Sequence, residues 1–173
     1  MMDYVPPTTD NVQMVIEEVL PFVQSHGGTW RYGKHSGNPK LDSNRFFMPE
    51  IVVVSRDYLQ RLFASMLITE NNNPDGTIPA IAAMYDHRTH TMYLHNELNL
   101  ANVRDRSTIL HELVHHMQYI NGLYQITDCS QKLEHLAYGI QIEYLLENGY
   151  SDENYVRGLK WNKVLYGNCR HMR

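Results

Sequence analysis

Ile109-Leu110-His111-Glu112-Leu113-Val114-His115-His116-Met117-Gln118 carries two patterns at once. A helix turns about 100° per residue, so positions i and i+4 stand one above the other on one face. With His111 placed at 0°, the apolar residues Ile109, Leu110, Leu113, Val114, Met117 and Ile120 fall between about 160° and 300°. His111 and His115 fall at about 0° and 40°, outside that stripe. The segment therefore predicts an amphipathic helix with a core face and a separate imidazole face. Asp105, Ser107 and Thr108 are the expected N-terminal capping residues, and Asn121-Gly122 is the expected stop. His116, at about 140°, lies at the edge of the stripe and reads as structural or partly exposed.

Two imidazoles at i and i+4 can hold one metal ion, and Glu112 between them sits near such an ion without needing to bind it. With 10 His in the chain, the pattern is expected by chance roughly 0.03 times per sequence of this length. Two solvated histidines on a surface helix are the plain alternative, and their separation from a well-formed core stripe weighs against it.

A catalytic metal usually keeps three protein ligands and one open position. The next helical pattern, which begins at a capping-box-like Asp128-Cys129-Ser130-Gln131 and runs to Glu147, supplies a candidate third ligand. Its apolar stripe is Leu133, Leu136, Ala137, Ile140 and Tyr144. Glu134, Tyr138 and Gln141 share a separate polar face. Glu134 lies 19 residues after His115, which leaves room for a loop and two helices side by side. Glu143 and Asp128 are competing carboxylates. His95 is a further candidate, reaching the site from a strand, and His135 points away from Glu134 and reads as a surface residue.

These motifs, Ile109–Gln118 followed by Glu134-His-Leu-Ala-Tyr138, resemble the gluzincin metallopeptidases of the thermolysin-like clan, in particular small bacterial members with a reduced catalytic domain. The resemblance covers roughly residues 78–147. It implies one zinc ion per chain held by His111, His115 and Glu134, with Glu112 as general base. The thermolysin pattern has an aspartate four residues after the glutamate ligand, where this chain has Tyr138. Either Tyr138 orients a ligand through its hydroxyl or the surroundings of the ligands are built differently. The resemblance also suggests that an edge strand beside the metal helix holds extended substrate by backbone pairing.

The expected fold is α+β: a zincin-like single domain in which a short mixed or antiparallel sheet packs against the metal helix and the glutamate-bearing helix. An N-terminal helix and long loop would fill residues 1–50, the catalytic core residues 51–147, and a last helix and tail residues 148–173. Helices are expected over Thr9–Ser25, with Pro21 disturbing the end, over Ser55–Leu67 and over Glu153–Tyr166. Strands are expected at Ile51–Val54, Ile78–Tyr85 and Thr91–His95, the last two joined as a hairpin through Asp86–His90. Residues His26–Asn44 and Asn71–Gly76 read as loops.

Apolar residues make up 43% of the 173-residue chain and its formal charge is −4, a balance that argues against nucleic acid as a partner. No run reaches the roughly 18 apolar residues of a membrane span. Without a basic, apolar leader the chain reads as cytoplasmic, or as periplasmic or secreted after removal of a signal segment. Cys129 and Cys169 admit a disulfide, two free thiols, or a tail in which Cys169 or His171 folds over the metal.

The functional expectation is a zinc metallopeptidase acting on a peptide or protein substrate. Tyr138, Tyr119, Tyr124 and His95 are candidate oxyanion donors. The alternatives are a non-catalytic zinc-binding or regulatory module that keeps the fold, and another metal-assisted hydrolase.

Overall fold

In the computed structural model, residues 3–27, 45–70, 80–127 and 131–167 are described. Helix α1 spans Thr9–Gly27, strand β1 Glu50–Val54, helix α2 Arg56–Glu70, strand β2 Ala83–Asp86 and strand β3 Thr91–His95. Helix α3 spans Val103–Ile120, the short α4 Leu123–Ile126, α5 Gln131–Glu147 and α6 Glu153–Gly167. The result is a small α+β arrangement.

Strand order is β1-β3-β2, with β1 parallel and β2 antiparallel to the central β3. The mixed sheet follows from its connections. Helix α2 follows β1 and precedes β2, and the four-residue turn 87–90 then joins β2 to β3 as a hairpin with Asp86 opposite Thr91, so that β3 returns parallel to β1. The Asp86 carboxylate organises that turn by accepting from the Arg88 backbone N–H at 2.9 Å and from its guanidinium at 3.1 Å. Strand β2 is an edge strand, yet all four of its residues are buried, because α3 packs alongside it. It is also shorter than the expected Ile78–Tyr85. Residues 80–82 are not strand, and Ile78 and Pro79 lie outside the described residues.

Helix α3 begins earlier than Asp105 or Ser107. Asn102 is its N-cap and accepts from the Arg104 N–H at 2.8 Å. Asp105 instead accepts from the Asn99 N–H at 2.8 Å, so it fastens the preceding loop. Both long central helices stop by the same device. The amides of Asn121 and Asn148 each donate at 2.8 Å to the carbonyl four residues back, and Gly122 and Gly149 follow with φ of 74° and 69°, a region open to glycine at little cost.

Helix α1 runs through Pro21 as expected and ends at Gly27, two residues beyond the expected Ser25. Proline inside a helix costs about 3 kcal/mol in lost bonding and crowding. Here Val23 continues the buried stripe of Val12, Val15, Ile16 and Val19, and Phe22 packs edge-on against Tyr144 at 5.4 Å. Burial of side chains on both sides of the proline favours continuing the helix.

The main core joins that stripe to Met92 and Leu94 of β3, Ile109, Leu110, Leu113, Val114 and Met117 of α3, and Leu133, Leu136, Ala137 and Ile140 of α5. Helix α6 covers the other side of α5 through a second cluster with Leu145, Val156 and Leu159. His135 is not a free surface residue; its ring donates to the Lys163 carbonyl at 2.8 Å and ties α5 to α6. Among the described residues, no helix is long and apolar enough to cross a membrane.

Candidate metal centre

The imidazole face of α3 does not meet solvent. Helix α5 lies over it, and residues 109–118 of α3 are all buried. His111 Nε2 and His115 Nε2 stand 3.1 Å apart. One Glu134 oxygen lies 3.3 Å from His111 Nε2 and the other 3.3 Å from His115 Nε2. Among the described residues these three form a group of donors, all within 4.8 Å of one another, that could hold a metal ion. Their chemistry suits one: two imidazole nitrogens and a carboxylate converge on one point, where a cation or a proton between them offsets the carboxylate charge.

The outward nitrogen of each ring is held. His111 Nδ1–H donates to Gln141 Oε1 at 3.0 Å; Gln141 Nε2 donates to Ser107 Oγ at 3.1 Å, and Ser107 Oγ donates to the Arg104 carbonyl at 2.6 Å. His115 Nδ1–H donates to Gln118 Oε1 at 2.9 Å, and Gln118 Nε2 donates to the Leu133 carbonyl at 2.9 Å. A proton fixed on Nδ1 leaves Nε2 as the lone pair turned to the centre. Gln118 and Gln141 are buried. Each amide therefore has its oxygen spent on a histidine and its nitrogen on the scaffold.

The electrostatics of the group favour positive charge. Burial opposes protonation of His115, but the Glu134 carboxylate outweighs it and lifts its pKa to about 9. Burial would raise Glu134, yet His115 and His111 hold it well below the usual carboxylate range. Glu112 differs. It is buried, and burial pushes its pKa up against the pull of the two histidines and of the nearby Tyr85 backbone of β2. It thus stands beside the ligand group without belonging to it. The Glu134 side chain is 37% exposed while those of His111 and His115 are 10% and 9%, so the group opens to solvent on the Glu134 side.

The other candidates separate clearly. Tyr138 follows Glu134 by one turn and lays its ring against His111, centroids 4.5 Å apart. The ring nitrogens facing away from the centre are held by Gln141 and Gln118. Gln141 shares the Glu134 face in sequence, and Gln118 follows His115 by three residues. That spacing was the signal for both. His95 is buried at the end of β3, accepts from the Glu97 N–H at 3.2 Å and has Arg56, Glu97 and Asp105 as its charged neighbours. It does not join the metal group. Glu143 pairs with His26 at 3.9 Å instead. Asp128, Cys129, Cys169 and His171 lie outside the described residues.

His116 is fully buried rather than partly exposed. Its Nε2–H donates to the Phe47 carbonyl at 2.7 Å, and its Nδ1 shares a hydrogen bond with the Tyr85 hydroxyl at 2.9 Å. Burial lowers its pKa to about 4. Tyr119 and Tyr124, two of the candidate oxyanion donors, pack with His87 in a cluster of rings beyond the end of the metal group.

Residues 37–171 match the family DUF6647, described as a domain of unknown function, and the chain belongs to that family. Neither the curated proteins nor the solved structures yield a match.

Proposed function

We propose that this protein is a zinc-dependent metallopeptidase with a zincin-like fold. The observation that carries the reading is the convergence of His111, His115 and Glu134 beside a buried glutamate that is not one of the ligands. Donors about 2.0–2.1 Å from a zinc ion at tetrahedral angles stand about 3.3 Å from one another. The separations here are 3.1, 3.3 and 3.3 Å. A purely structural site would close its fourth position and has no need of a carboxylate such as Glu112.

Bound there, the ion would supply positive charge that acidifies a water and polarises a carbonyl. The chain's own residues do the rest. His111 and His115 are held in the ligating tautomer by the two glutamines, so little reorganisation is needed. Glu112 accepts the proton of the attacking water and delivers a proton to the departing amine. The backbone of Tyr85 in β2 lies beside this carboxylate. Tyr138, beside His111, is the candidate hydroxyl for the developing oxyanion. Strand β2, the edge strand against α3, is the element on which an extended peptide would lie.

The test is to load the purified protein with zinc and challenge it with a quenched-fluorescence peptide library beside Glu112→Gln. Cleavage by the wild type, with about one zinc per chain in both proteins, is the expected result. One bound zinc without cleavage of any peptide would replace the peptidase with a zinc-binding module.

A further inference from the structure

The ligand-bearing face of α3 does not end at His115. Tyr119 continues it four residues on, about 6 Å along the helix axis. At that end lies an open cavity of about 360 Å³ lined by the rings of Phe47, His90, Tyr119 and Tyr124 together with Arg45, Ile120, Gly122 and Gln125. Its size is at the lower end of the roughly 300–1,000 Å³ usual for ligand pockets.

The walls are a chain of rings. Phe47 meets His90 edge-on at 5.1 Å, His90 meets Tyr119 at 5.0 Å, and Tyr119 meets Tyr124 at 5.8 Å. His87 stacks on Tyr124 at 5.4 Å. Phe47 is nevertheless 45% exposed, so apolar ring surface is left to water where a further ring would cover it. His90 is the one non-glycine residue with positive φ among the described residues, at 55°. An imidazole is held in that uncommon backbone region by its Nδ1 hydrogen bond to the Tyr85 hydroxyl at 3.2 Å, a place where strain commonly accompanies function.

Tyr85 links this wall to the metal centre. Its phenol holds His90, and its backbone lies beside Glu112. The cavity wall and the proposed general base thus share one residue of β2 as a neighbour.

We infer that this cavity is a pocket for an aromatic side chain of a peptide or protein, next to the bond to be cleaved. Tyr119 stands one helical turn beyond His115 on α3, about 6 Å along its axis, which places the cavity at the end of the candidate metal group. Aromatic rings gain edge-to-face contacts here that an aliphatic side chain cannot make. The position relative to a scissile bond rests on the peptidase reading, while the affinity for an aromatic ring does not.

Two measurements test the two parts separately. Zinc-loaded Glu112→Gln is titrated with N-acetyl-L-phenylalanine amide and with N-acetyl-L-alanine amide, followed by the ring resonances of His90, Tyr119 and Tyr124. Saturable shifts with the phenylalanine amide alone are expected; no shifts, or equal shifts with both, overturn the pocket. In parallel, kcat/KM is compared for peptides with phenylalanine or alanine beside the cleaved bond, using wild type, Tyr124→Ala and the more conservative Tyr119→Leu. The phenylalanine-over-alanine ratio is expected to fall at least about tenfold in the variants. Cleavage with no aromatic preference in the wild type overturns the pocket and leaves the peptidase. Binding of the phenylalanine amide without any cleavage supports the pocket and removes the peptidase.

Discussion

Gln141 offers a sharp test of how the site is built. It is buried, its Oε1 takes the His111 Nδ1–H at 3.0 Å, and its Nε2 donates to Ser107 Oγ at 3.1 Å. Gln141→Leu keeps the bulk and removes both bonds. Ser107 keeps its bond to the Arg104 carbonyl, so the uncompensated group is the His111 N–H. Two effects follow. The ring loses the partner that fixes its tautomer, and zinc affinity should fall about 10–100-fold, equivalent to about 1.4–2.8 kcal/mol. The buried donor also loses its acceptor, and the metal-free protein should lose about 1–3 kcal/mol of folding stability. Competition with a zinc-chelating dye measures the first effect and guanidinium unfolding of metal-free protein the second. Gln141→Glu retains an acceptor at His111 and should bind zinc within about tenfold of the wild type. If Gln141→Leu binds zinc within about twofold of the wild type, well inside the loss expected from a missing outer partner, the glutamine does not position the ligand and the account of the centre fails.

Glu112→Gln should retain the metal and the fold while peptide turnover drops by about 10²–10⁴ or more; ordinary turnover in that variant removes Glu112 from the base role. Glu134→Ala should take the protein from about one zinc per chain to little or none by elemental analysis, and unchanged zinc content would move the third ligand elsewhere. His116 sets a pH dependence in metal-free protein. Its folded pKa, about 4, lies below the ordinary histidine value of about 6.5, so the unfolded chain binds the extra proton first. Its contribution is complete above about pH 6.5 and is lost as pH falls towards 4, by roughly 3 kcal/mol. Denaturant unfolding between pH 7 and pH 4, compared with His116→Gln, should show a shallower loss in the variant; parallel curves would exclude His116 as the source.

The metal helix was legible because two periodicities are written into one segment. Apolar side chains from Ile109 to Ile120 define the buried stripe, and i,i+4 spacing alone stacks His111 over His115. Asn121-Gly122 and Asn148-Gly149 likewise end their helices by local chemistry, an amide on a free carbonyl and a glycine at positive φ. The helix over Thr9–Ser25 was legible from its apolar spacing, but not that the packing of Phe22 and Val23 outweighs the missing N–H of Pro21 and carries it on to Gly27. The start of α3 was missed for a similar reason. Asp105 is a good cap by type, but its carboxylate is taken by the Asn99 N–H.

What the sequence by itself determined is that His111 and His115 share one helix face with Glu112 beside them, because helical spacing is a property of the chain; it offered Glu134 as one of three candidate carboxylates. Only the tertiary structure decided what surrounds them. Packing of α5 over the imidazole face buries it and brings Gln141 onto His111, a contact between residues 30 apart in sequence. The same packing sets Gln118 between His115 and the Leu133 carbonyl. Strand β2 brings the Tyr85 backbone beside Glu112, which no side-chain pattern encodes. His95 shows the converse: a histidine of suitable type on a strand of the same sheet is carried by its register to the Arg56 and Glu97 side. Residue type and local period fix which groups can act as ligands, while burial, tautomer and orientation depend on which elements meet across the core.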